Sequence, residues 1–116
     1  MWLCLNDCFV SVVEYQPKGK PVKDMLMIRA RRRKHLTNLL GKDAEIVANV
    51  GTDYKYRAYV KRDEFAKLIA DKITNINYGN FKNSVIEPEL HDLYADFWRG
   101  HYKYQMKEKK SEAEAF

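Results

Sequence analysis

Twice in its first two-thirds the chain changes hydrophobic period, from the alternation of a strand to the 3.6-residue recurrence of a helix. Met25 to Arg31 alternates Leu26, Ile28 and Ala30 with Met27, Arg29 and Arg31, so one face of that strand is buried and the other meets water. Leu36, Leu39 and Leu40 then recur at i, i+3 and i+4, a stripe on a helix of about two turns that stops at Gly41, where a C-terminal cap belongs. The second round begins with a strand over Glu45 to Val50 and a turn at Gly51-Thr52-Asp53. Tyr54 to Lys61 alternates again, with Tyr56, Ala58 and Val60 opposite Lys55, Arg57, Tyr59 and Lys61. Phe65, Leu68, Ile69 and Ile73 follow at helical spacing from a start near Asp63, whose carboxylate is placed to cap the orphan amides.

Upstream, Cys8 to Tyr15 is rich in β-branched and aromatic residues and forms a full strand, preceded by a shorter one at Met1 to Leu5 across an Asn6-Asp7 turn. Gln16 to Asp24 holds Pro17, Gly19, Pro21 and three lysines, which suit an exposed connection. Lys34 to Leu40 and Asp63 to Ile69 place apolar residues at matching offsets, each after a strand containing Arg-Ala, a weak internal repeat. Hairpin connections favour antiparallel pairing. The expectation is an α+β fold: an antiparallel sheet of about four strands from two hairpin-plus-helix units, helices on one face, plus a C-terminal amphipathic helix.

That last helix opens at Pro88 after a break at Asn75 to Asn80 and a short helical or irregular piece at Phe81 to Ile86. Leu90, Leu93, Tyr94, Phe97, Trp98 and His101 form its stripe. With 116 residues the chain suits one hydrophobic core, so residues 1–105 are expected as a single domain and residues 106–116 as a charged C-terminal tail.

The net charge of +5 is unevenly spread: residues 1–62 hold 13 Lys/Arg against 6 Asp/Glu, and residues 63–116 hold 8 against 10. Such asymmetry points to an anionic partner. Its sharpest expression is Arg29, Arg31, Arg32, Arg33 and Lys34, joined by Lys55, Arg57, Lys61 and Arg62. If the two alternating strands pair, Arg29, Arg31, Arg57 and Lys61 share the wet face with Tyr59. Guanidiniums grip phosphates in a planar fork and a tyrosine ring stacks on an unpaired base, so the candidate partners are nucleic acid or an acidic protein. The competing reading is a solvated face whose cations pair with Asp53, Asp63 or Glu64, and no helix-turn-helix, zinc finger, KH loop or aromatic RNP motif argues against it.

The aromatic C-terminal third is first of all core material, but its stripe is wide enough to offer Tyr94, Trp98 and Tyr102 as a partner surface or homo-oligomer seam. Cys4, Cys8, His35, His91 and His101 lack the paired spacings of a zinc site, and neither a nucleophile elbow nor a phosphate-cradling loop is present. No catalytic, metal or cofactor residue is assigned; a dispersed site would draw on Asp7, His35, Asp53 or His91. No apolar run reaches the ~18 residues of a membrane span, and two cysteines without an export signal suit a cytoplasmic chain.

Several stretches together, Met1-Trp2-Leu3-Cys4-Leu5-Asn6-Asp7 with Phe9 to Val13, Arg29-Ala30-Arg31-Arg32, Thr52 to Ala58, Tyr78 to Lys82, and Leu90 to Tyr94 with Trp98, resemble a group of small bacterial proteins of unknown function. The resemblance implies a compact intracellular domain and carries no activity. The functional expectation is a small non-enzymatic binding or regulatory module with a protein or nucleic-acid partner. The alternatives are a small enzyme with a dispersed site and a mobile-element protein inhibiting a host defence complex.

Overall fold

The computed structural model describes residues 1–48 and 53–108. Five strands form one antiparallel sheet: β1 (Trp2–Leu5), β2 (Cys8–Glu14), β3 (Met25–Ala30), β4 (Val47–Ala48) and β5 (Tyr56–Lys61), in the order β1-β2-β3-β5-β4. The short leading strand is the fifth member beyond the expected four, pairing Trp2 with Ser11 and Leu5 with Cys8 across the Asn6-Asp7 turn. The expected strand from Glu45 to Val50 contracts to Val47–Ala48, with Asn49, Val50 and the Gly51-Thr52 part of its turn lying outside the described residues. β5 pairs along its whole length with β3.

Period-two patterning sorts the side chains between two faces. Leu3, Leu5, Cys8, Val10, Val12, Leu26, Ile28, Ala30 and Ala58 lie on one, where α1 (Arg33–Leu40) and α2 (Arg62–Thr74) close the main core with Leu36, Leu39 and Phe65. Ile28 and Leu36 have no exposed surface, and each such side chain contributes about 1.5–3 kcal/mol on burial. Gly41 ends α1 at φ +102°, a left-handed value at which a side chain is strained, and its N–H donates to the Thr37 carbonyl. The N-cap of α2 is Lys61 and not Asp63, which falls inside the first turn, where its Oδ1 accepts the Glu64 N–H.

After α3 (Phe81–Ser84), capped by Asn80 accepting the Asn83 N–H, α4 (Pro88–Met106) packs on the opposite face. Phe9 points that way from β2 and joins Val85, Leu90 and Tyr94 in a second core. Trp2, Phe9 and Phe97 meet there with ring centroids 5.4–5.8 Å apart. The Tyr94 hydroxyl lies 2.8 Å from the carbonyl oxygens of both Leu5 and Cys8 and donates its one proton into that pair, tying α4 to the β1–β2 turn. A second tie is ionic: Arg32 and Lys34 at the start of α1 both reach Glu87, and Arg32 also reaches Glu89. α4 stands over β1 and β2, and among the described residues no helix packs on the same face over β3, β5 and the end of β2.

Candidate functional site

One row of side chains crosses all five strands on that second face: Trp2, Ser11, Arg29, Arg57 and Val47 in successive register. Trp2 and Ser11 are near α4, whereas Arg29 and Arg57 stand beyond it, half-buried and directly opposite one another on neighbouring strands. Like charges so placed destabilise a sheet unless something offsets them. No carboxylate does so among the described residues: the ion pairs there involve Arg31, Arg32, Lys34, Arg62 and Arg99.

The two guanidiniums are positioned by neutral groups. Arg29 donates from Nη2 to Ser11 Oγ at 2.8 Å and lies 4.6 Å from the centre of the Tyr54 ring, which is only 4 % exposed. Arg31 sits 4.0 Å from the same ring and is held by Asp53 at 2.6 Å, so Tyr54 fixes both arginines by cation–π attraction. Among the described residues Arg57 has only the thioether of Met27, 3.8 Å from Nη1, a weak acceptor. In both Arg29 and Arg57 the Nε donor is shielded from solvent and has no partner among the described residues. An unmet buried donor of this kind costs about 1–3 kcal/mol.

The next rows are softer. Val13, Met27 and Tyr59 are in register, then Met25 opposite Lys61, with Tyr15 beside Met25. The Tyr15 and Tyr59 rings meet at 4.6 Å, tilted by 49°. The surface is thus a guanidinium pair, a tyrosine pair flanked by Val13, Met25 and Met27, and an exposed ammonium at Lys61.

The cations predicted from sequence therefore part company. Arg29, Arg57 and Lys61 share the open surface with Tyr59. Arg31 stands at its upper end, already paired with Asp53. Arg32 pairs with Glu87 and Glu89, away from the open surface, and Arg33 leans over Tyr56 at 5.7 Å. Tyr59 is half-buried against Tyr15 and not a lone ring. Ser11, Met27 and Tyr54 were missed by sequence reasoning; the alternation of β2 and β3 marks the first two as face residues, but nothing local marks Tyr54.

The proposed aromatic partner surface divides as well. Tyr94 is corrected to core, at 3 % exposure with its hydroxyl bonded inward and burial pushing its phenol pKa up. Trp98 and Tyr102 are exposed and stacked, beside a groove of ≈ 600 Å³ lined in part by Cys4, Phe81, Lys82 and His101. The residues of the alternative enzyme site do not hydrogen-bond to one another through their side chains. Asp53 holds Arg31, and His35 is buried with Nδ1 accepting the Phe9 N–H at 3.3 Å. Burial lowers the His35 pKa, leaving a neutral ring whose Nε2 has no partner. Cys4 and Cys8 are free thiols that strand alternation sends to opposite faces. Among the described residues no three His, Cys, Asp or Glu side chains gather as metal ligands, and no helix is long and apolar enough to cross a membrane.

Compared with known proteins, the chain matches no family model, no curated protein and no solved structure. The functional reading rests on the geometry.

Proposed function

We propose that the chain is a non-enzymatic binding module that takes an anionic partner on the open half of its sheet, through Arg29 and Arg57. The observation that carries this is the cross-strand guanidinium pair, half-buried and paired with no carboxylate among the described residues. Two arginines held at fixed positions by Ser11, Tyr54 and Met27 are prepaid for a ligand: little side-chain freedom is left to lose on binding. An oxyanion supplies both the missing charge and acceptors matched to the planar forks.

The test is a panel of fluorescent polyanions, an oligonucleotide, polyphosphate and polyglutamate, titrated across a salt series. Binding of at least one is expected at low salt, falling as salt rises, and weakened at least tenfold in the Arg29→Ala/Arg57→Ala double variant. A Lys67→Ala/Lys103→Ala variant removes the same charge from α2 and α4 and should bind nearly as the parent does. Equal losses in the two double variants, or no binding of any polyanion, would overturn the proposal.

A further inference from the structure

We infer that the anionic partner is single-stranded nucleic acid, an assignment that rests on the anion-binding reading above and names its ligand. Four observations on the open half-sheet lead there.

The first is the order of chemistry along β5. Arg57, Tyr59 and Lys61 occupy alternate positions on one face, so a ring lies between two cations about 13 Å apart, four residues at about 3.3 Å each. A polymer matching that surface carries negative charge on both sides of a flat apolar group, which is the repeating chemistry of phosphate and base. The second is the company of the ring. Tyr59 is braced by Tyr15, with Met27 opposite it and Met25 diagonal to it on the same face, a stiff aromatic pair flanked by polarisable thioethers. Every base has a π-face, so such a platform is tolerant of sequence. A purely acidic peptide brings the charge but leaves the aromatic pair and its thioether neighbours uncovered.

The third observation concerns shape. Strands β2, β3 and β5 lie about 4.8 Å apart, α4 flanks them over β1 and β2, and among the described residues no helix packs on the open half. A duplex is read by an element that enters a groove, and the strands of the half-sheet are not such an element; unpaired bases splay onto a sheet without that need. The fourth is the shortage of counter-charge. Asp53, the acid of the described residues that pairs at this surface, is already bound to Arg31. The phosphates would therefore meet Arg29, Arg57 and Lys61 without displacing an internal ion pair.

The experiment compares a short oligouridylate, its duplex with oligoadenylate and polyglutamate of matched charge, each by fluorescence anisotropy, with the parent and with Tyr59→Leu and Tyr59→Phe. Leucine keeps apolar bulk in the row while removing the ring, and unfolding midpoints establish that each variant is folded. The single strand is expected to bind more tightly than the duplex or polyglutamate. Tyr59→Leu should weaken it about 5- to 150-fold, with Tyr59→Phe close to the parent and polyglutamate binding unchanged throughout. Removing Arg29 and Arg57 together should reduce the slope of log affinity against log salt by about 1.4. If polyglutamate or the duplex binds as well as the single strand, or if Tyr59→Leu leaves single-strand affinity intact, the inference is overturned, while an arginine-dependent loss for any polyanion still upholds the broader proposal. If nothing in the panel binds, both fall.

Discussion

The two faces of the sheet are made by the same strands, yet one is closed and the other half open. On β3 the closed side carries Leu26, Ile28 and Ala30, none more than 9 % exposed, and the open side carries Met25, Met27 and Arg29. Side chains one residue apart thus belong to different physical regimes. On the first face α1 and α2 exclude water and packing decides the energy. On the second, α4 serves only β1 and β2, and the remaining positions hold cations and soft or aromatic groups. A fold of this size can close one core and part of another, and the remainder is surface kept by its own chemistry.

The largest effect that would break this contrast comes from matched truncations on neighbouring residues. Ile28→Ala is expected to cost about 2–5 kcal/mol in urea unfolding, and Met27→Ala less than about 1 kcal/mol. Similar costs would mean that the open half-sheet is packed after all. Next comes the boundary between the regimes. Tyr94→Phe keeps the ring but leaves the Leu5 and Cys8 carbonyls without their donor, and about 1–3 kcal/mol of stability should be lost. No change would show that α4 docks by its aromatic contacts alone.

A pH series sharpens the comparison further. Burial lowers the His35 pKa in the folded chain below the 6.5 of a free imidazole, so the unfolded state takes up the proton first. The stability due to neutral His35 is complete above pH 6.5 and is lost as the pH falls below that value toward the folded pKa. His35→Gln should flatten the slope of stability against pH in that window, and an unchanged slope would assign it to carboxylates. The smallest shift is expected on the open face. Arg57→Leu relieves a like-charge pair and removes a shielded donor, so stability should stay within about 1 kcal/mol of the parent, or rise, while polyanion affinity falls. A large loss of stability would recast Arg57 as a structural residue.

Much of this was legible in the chain. Alternation identified β2, β3 and β5, the i, i+3, i+4 stripes identified α1, α2 and α4, and Gly41 stood where its positive φ requires it. Where the local signal was weaker, the bounds moved: β4 kept two described residues, and the cap of α2 passed from Asp63 to Lys61. The candidate site was half legible. Alternation places Arg29, Arg57, Tyr59 and Lys61 on one side of their own strands, but their meeting depends on β3 pairing with β5 in one particular register.

By itself, then, the sequence determined which face each residue of a strand takes and where each helix lies, because those follow from backbone periods acting over a few residues. Only the tertiary structure decided which cations remain without a carboxylate. Arg31 and Arg32 are adjacent and chemically identical, yet one meets Asp53 and the other Glu87 and Glu89, while Arg29 and Arg57 meet no acid among the described residues. The physical reason is that charge compensation depends on distance in space, and the acids that neutralise Arg32 lie more than fifty positions away, on a helix whose placement is set by Phe9, Tyr94 and Phe97.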